Sequence, residues 1–217
     1  STVEDPIEYH LPQANQVQVH ERIGMTFSAA LRSLLRQDPD VIMLGEIRDA
    51  ETARIAVQAS LTGHLVLSTL HTNDAPSSVT RLINIGVEPY LIASAVNAIL
   101  AQRLVRRICS HCKTKYEPTP EMAEFLALQG VDISRLYKGA GCERCRRTGY
   151  SGRLGIYEML VMDDALRDQV TRNPDVTQFR RLCREKGLVS LRQDGFDKAA
   201  QGLTTVDEVL RVTESGI

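Results

Sequence analysis

The sequence is as informative in what it lacks as in what it holds. It has no tryptophan, and aromatic residues make up only 5% of its 217 positions. Stacking platforms for single-stranded nucleic acid are therefore scarce. It has no excess of either charge: 26 Lys and Arg stand against 27 Asp and Glu, a formal net charge of −1. A globally basic nucleic-acid binder is excluded, because no surplus cation is available to neutralise phosphates. No run approaches the roughly 20 apolar residues that span a bilayer. The best stretch, Leu91 to Ala101, is interrupted by Asn97 and followed by Gln102-Arg103. The first residues, Ser1 to Glu8, lack the basic and apolar regions of a signal peptide. Low-complexity character is absent too, and 43% apolar residues exclude an intrinsically disordered chain. The expectation is a soluble, cytoplasmic globular protein.

The first half alternates short apolar runs with helical patterns. Thr26 is a plausible N-cap for a helix whose apolar face carries Phe27, Ala30, Leu31, Leu34 and Leu35, and Asp38-Pro39 stops it. Val41–Leu44 reads as a strand, followed by the polar turn Gly45-Glu46-Ile47-Arg48-Asp49. A helix from about Ala50 to Thr62 ends at Gly63, and Leu65–Thr69 reads as the next buried strand. Helices are expected over about Ala75–Ile85 and over Tyr90–Arg106. Such alternation implies an α/β fold with a parallel sheet covered on both faces. Later, Leu154–Met162 reads as a strand, with helices expected near 175–186, 190–201 and 206–213. Thr205 and Glu208 have the spacing of a capping box for the last of these.

At Cys109 the character changes. From Arg103 to Arg153 there are eleven Lys and Arg against five Asp and Glu, a basic excess that the global charge conceals. Four of the five cysteines lie here, as Cys109-x2-Cys112 and Cys142-x2-Cys145, with 29 residues between the pairs. Two such knuckles can offer four thiolates to Zn²⁺ in a closed, structural site. Two disulfides or free thiols are the alternatives, and a cytosolic setting disfavours disulfides. The long spacer calls for structure of its own, a helix near Glu121–Leu128. His111 lies inside the first knuckle as an exposed neighbour rather than a ligand, and Cys183 reads as core packing.

Three stretches carry candidate chemistry. Glu4, Asp5 and Glu8 crowd around Pro6, either as a functional acidic cluster or as a solvated loop. Glu46 and Asp49 follow a strand directly, where open α/β sheets build ligand sites. They can hold Mg²⁺, or they can simply place charge at a helix N-terminus. His64 and His71 bracket the Leu65–Thr69 strand, and with Thr69 and Asn73 they offer donors suited to phosphate.

Taken in order, the Glu4-Asp5-Pro6-Ile7-Glu8 segment, Gly45-Glu46-Ile47-Arg48-Asp49, Thr62-Gly63-His64 through Asn73, and the tetracysteine element resemble the secretion/pilus ATPase superfamily. The likeness is strongest to its type II secretion (GspE-like) and type IV pilus assembly (PilB-like) branches. The resemblance implies a RecA-like fold and homohexameric ATPases that drive pilus or pseudopilus assembly with inner-membrane platform proteins. It places Glu4 in an Asp box, Glu46 in a Walker B segment, and His64 and His71 in a His box. Catalytic roles fall on Glu4 and Glu46, with Asp5, Glu8, Asp49, His64, Thr69 and His71 around Mg²⁺ and ATP. The tetracysteine element favours these branches over retraction ATPases.

One departure is large. No Gly-Lys dipeptide occurs in the sequence, so the phosphate cradle G-x4-G-K-[ST] is absent. The expected reading is the C-terminal part of such an ATPase, inactive by itself. It would comprise the P-loop-less portion of the core at 1–107, the zinc element at 108–150, and a strand with a helical subdomain at 151–217, working at the cytoplasmic face of the inner membrane. The alternatives are a non-enzymatic zinc-stapled module docking on inner-membrane partners or acidic lipid and, less favoured, a nucleic-acid binder.

Overall fold

The structure is a computed structural model, and it describes residues 1–172 and 175–213. Its packing divides into two units, one formed by 1–99 with 161–183 and the other by 100–160 with 184–217. The stretch after residue 150 is thus shared between them.

The first unit is built on a four-stranded sheet in the order β2-β1-β3-β4, with every pairing parallel. Its strands are β1 (Thr2–Glu4), β2 (Gln16–Gln18), β3 (Val41–Leu44) and β4 (Leu65–Ser68). Helices α1 (Phe27–Leu35) and α2 (Ala50–Leu61) connect them. Thr26 caps α1 as its sequence position implies, accepting a hydrogen bond from the Ala29 amide at 3.2 Å. The core joins Val3, Ile42, Leu44 and Val66 to Phe27, Leu31 and Leu34 of α1 and to Ile55, Ala56 and Ala59 of α2. Side chains alternate across a sheet, so Val41, Leu65 and Leu67 lie on the opposite face, where they are 43%, 52% and 51% exposed. The expectation of a sheet covered on both faces is therefore corrected. Among the described residues the core helices α1 and α2 cover one face, and β4 is an exposed edge strand. Helices α3 (Ala75–Ile85) and α4 (Pro89–Ala95) pack on α2.

The helix expected over Tyr90–Arg106 is also corrected. It stops at Ala95, Val96 turns extended, and residues 98–108 form β5, which pairs with β8 (Tyr150–Val161) in a two-stranded sheet. The composition of this stretch favours a helix, but pairing with a strand more than forty residues away overrides propensity. Beyond β8 the chain returns to the first unit through α6 (Asp164–Arg172) and α7 (Val176–Glu185). The Arg167 guanidinium of α6 donates to the carbonyl of Ala93 and, at 3.3 Å, to Oδ1 of Asn97.

In the second unit, β6 (Lys113–Lys115) and β7 (Tyr137–Gly139) pair antiparallel, and α5 (Pro120–Leu128) fills the cysteine spacer. Helices α8 (Leu191–Ala200) and α9 (Val206–Thr213) complete it. Its main core gathers Leu126, Leu136, Phe196, Ala199, Val206 and Val209, with Phe125 edge-on to Phe196 at 6.3 Å.

The expected capping box of α9 is half formed. Thr205 Oγ1 accepts from the Glu208 amide at 3.3 Å, but the Glu208 carboxylate does not reach back to it. Glu208, 2% exposed at its side chain, instead accepts from Arg106 Nη2 at 2.5 Å, from the Arg106 amide at 3.0 Å, and from Arg211 Nε and Nη2 at 2.9 and 3.0 Å. Burial by itself pushes this carboxyl up, yet the bonds from Arg211 and Arg106 outweigh it and hold Glu208 down at about 2. Its contribution to stability is therefore complete above the ordinary carboxyl value of 4.5 and is lost as the pH falls toward 2. Glu208→Gln is expected to cost about 2–3 kcal/mol near neutrality. This lies at or below the low end for a broken buried pair because both arginines are half in water. Urea unfolding at pH 7 and at pH 3 measures the difference between variant and parent, which should shrink in acid.

Candidate functional site

The carboxyl edge of the parallel sheet brings together Glu46, Thr69 and His71. Gly45 follows β3, and its amide donates to the Val3 carbonyl at 2.8 Å. A Cβ there would stand 3.2 Å from that same oxygen, so a side chain at 45 would push β1 away. This close approach brings Glu46 out at the edge. Its Oε1 accepts from Arg48 Nη2 at 2.6 Å, and its Oε2 lies 3.2 Å from His71 Nε2. The bond from Arg48 holds Glu46 below the ordinary carboxylate value, partly opposed by burial. Arg48 is raised in return by Glu46, with smaller contributions from Asp5 and Glu21, which places both acids within its electrostatic reach. Thr69 sits just past β4, its Oγ1 donating to the Gly45 carbonyl at 2.6 Å while its own carbonyl accepts from the Ile47 amide at 3.1 Å. The loops after β3 and β4 are thereby tied to each other, and His71 is carried over Glu46.

Glu4 ends β1 beside this group. Thr2 Oγ1 donates to its Oε1 at 2.6 Å and Gln16 Nε2 donates to the same oxygen at 2.9 Å. These two bonds hold Glu4 below its ordinary value. Gln16 also donates to the Tyr9 carbonyl and accepts from the Leu11 amide, so it holds the loop that contains Asp5 and the exposed Glu8.

Two of the sequence candidates stand apart. His64 lies at the start of β4, the opposite end of the strand from Thr69. Its Nδ1 is 3.0 Å from the Ala59 carbonyl and 3.3 Å from Thr62 Oγ1, where it closes the end of α2. Asp49 is the N-cap of α2, accepting from the Thr52 amide at 2.8 Å and from Thr52 Oγ1 at 2.9 Å. Sequence reasoning passed over Arg48, Thr2 and Gln16. The signal for Thr2 was its place two residues before Glu4 on one strand, which puts both on the same face.

The four cysteines form a second group. Cys109 and Cys142 Sγ are 3.9 Å apart, Cys112 and Cys145 3.8 Å, and Cys142 and Cys145 3.7 Å. All four sulfurs lie within 4.8 Å of one another. These spacings exclude disulfides. They match the roughly 3.8 Å edge of a tetrahedron with metal–sulfur bonds of about 2.3 Å. The backbone builds the cage: Cys142 and Gly149 amides donate to Cys145 Sγ at 3.2 and 3.3 Å, and Arg146 and Arg147 turn left-handed after it. Gly139 and Gly149 pass so closely that a Cβ on Gly139 would meet the Gly149 carbonyl at 2.0 Å. The amides of Cys142 and Gly149 lower the Cys145 thiol, toward the thiolate a metal requires, while burial and the neighbouring thiols raise Cys112. His111 is exposed against Arg144 and takes no part in the cluster, and Cys183 is buried on α7.

The family model for type II/IV secretion system proteins matches residues 1–211. The chain belongs to that family. It is 54% identical over 214 residues to the type IV pilus assembly ATPase PilB of Thermus thermophilus, covering 98% of this chain and 24% of that protein. It is 53% identical to the type II secretion system protein HxcR of Pseudomonas aeruginosa and 50% identical to the type II secretion system ATPase E of Vibrio cholerae, covering 98% of this chain and 42% of each. The chain thus spans less than half the length of these relatives. Among solved structures, the pilus retraction motor PilT with bound ADP superposes with a TM-score of 0.69 at 28% identity, over 97% of this chain and 51% of that one. The Legionella pneumophila ATPase DotB shares the fold, with a TM-score of 0.68 at 23% identity. The backbone cradle and lysine for a triphosphate are not in the sequence of this secretion-family chain. No helix among the described residues is long and apolar enough to cross a membrane.

Proposed function

We propose that the chain is the C-terminal portion of a homohexameric ATPase that powers pilus or pseudopilus assembly, or protein secretion across the bacterial envelope. It would work at the cytoplasmic face of the inner membrane beside platform proteins. The observation that carries this reading is the Glu46 carboxylate held between Arg48 and His71 at the carboxyl edge of a parallel sheet, where such folds bind ligands.

In the full-length protein Glu46 would help hold Mg²⁺ and Glu4 would orient or deprotonate the attacking water, or the two carboxylates would exchange these roles. Both carboxyls are held low and so are ionised at neutral pH. That state suits cation binding and water orientation. Thr69 stands at the same edge and Asp5 lies within electrostatic reach of Arg48; Glu8 would contribute from the loop after β1, and His71 rather than His64 would face the γ-phosphate side. Asp49 contributes by fixing the start of α2. Structural Zn²⁺ is the metal of the four-cysteine cluster, since four thiolates close the coordination sphere. No specific nucleic acid is expected as a partner.

Phosphoryl transfer depends on positioning and charge stabilisation around the triphosphate. Without the cradle this chain should bind ATP weakly or not at all, whereas the full-length protein should bind and hydrolyse it. Calorimetric titration of both with Mg-ATP is the test. Saturable micromolar binding by the chain alone overturns the fragment reading, and a full-length protein without ATPase activity overturns the function.

A further inference from the structure

We propose that Arg180 of α7 is a positioning residue that latches the loop carrying His71, and so sets where that imidazole stands against Glu46. The latch itself rests on geometry alone, and only its catalytic consequence rests on the ATPase reading above.

His71 is 86% exposed at its side chain, so packing does not place it; its backbone must. The loop from Thr69 to Asp74 is anchored in front by the Thr69 bonds to Gly45 and Ile47. Behind, Asp74 caps α3, its Oδ1 accepting from the Ser77 amide at 2.8 Å. Thr72 Oγ1 and Ser78 Oγ meet at 2.9 Å. Arg180, over a hundred residues further along the chain, closes the arrangement. Its Nη2 donates to Asp74 Oδ2 at 2.7 Å and to Ser77 Oγ at 2.5 Å. The two oxygens of Asp74 are thus divided, one for the helix cap and one for the guanidinium. Phe179 and Cys183, buried and four residues apart, fix the roll of α7 and leave Arg180 turned to its partners. The cap and the Thr72–Ser78 contact do not involve Arg180, so losing the arginine should loosen the rear of the loop without dismantling α3.

Hydrogen exchange on the chain itself reads the latch directly. In Arg180→Ala, and equally in Asp74→Asn, which keeps a capping oxygen but loses the charge, amides from Leu70 to Ser77 should exchange about fivefold faster or more, with α1 and β1 unchanged. The double variant should add nothing further, and Arg180→Lys should restore part of the protection. Unchanged exchange in this loop, or a uniform increase across the unit, overturns the latch. In the full-length ATPase, Arg180→Ala should lower kcat by about tenfold with KM for Mg-ATP little altered, as expected for a misplaced group. Faster exchange accompanied by parental kcat overturns the link from latch to catalysis. An inactive parent enzyme would instead fail the functional reading and leave the exchange result to decide the latch.

Discussion

Stripping zinc from the four-cysteine cluster should unfold the β6–β7 pair and destabilise the second unit around it. The cage has little regular structure of its own: β6 and β7 are three residues each, and Gly139 meets Gly149 backbone to backbone. Structural zinc in small domains binds with an apparent free energy of about 10–16 kcal/mol. That matches or exceeds the roughly 5–15 kcal/mol by which a whole domain is stable. The purified chain should carry one zinc. Chelation, or Cys145→Ser, should abolish protection of the β6 and β7 amides and lower the unfolding temperature by tens of degrees. Metal analysis together with hydrogen exchange decides the matter. A metal-free chain with the same unfolding curve would remove zinc from the description.

The second large effect concerns Glu46. On the proposed ATPase function, Glu46→Gln in the full-length protein should reduce kcat by about 10²–10³-fold, in the range of a positioned acid–base or cation-holding group. Folding should be spared, because its partners Arg48 and His71 are themselves largely exposed. Glu4→Gln should also be slow, although Thr2 and Gln16 can still donate to the amide oxygen and keep the side chain in place. Comparing the two by turnover and by Mg²⁺ dependence separates their roles: a raised Mg²⁺ requirement identifies the residue that holds the cation. Near-normal turnover in both variants would remove both from the chemistry.

The sequence was most readable where the determinants are local. Thr26 before an apolar stripe foretold α1, and Gly63 marked the end of α2. The two Cys-x2-Cys pairs foretold the sulfur cluster because each knuckle is a local turn. Reading failed where distant partners decide. Residues 98–108 carry helix-forming leucines, alanines and arginines, yet β8 draws them into a strand. Glu208 has capping-box spacing, but two arginines outbid the helix terminus for its carboxylate. His64 and His71 look symmetrical on paper. Only the direction of β4 shows that one closes a helix and the other overhangs Glu46. The Arg180–Asp74 pair joins residues 106 apart, and no spacing rule announces it.

The open side of β4 bears on how the chain behaves in solution. Leu65 and Leu67 are uncovered, and the strand has a hydrogen-bonded neighbour on one side only among the described residues. An edge of this kind templates pairing with any extended chain that reaches it, and bare leucines beside it add cohesion. At high concentration the isolated chain should self-associate through this strand, and light scattering across a concentration series would measure it, with a charge placed at Leu67 expected to suppress it.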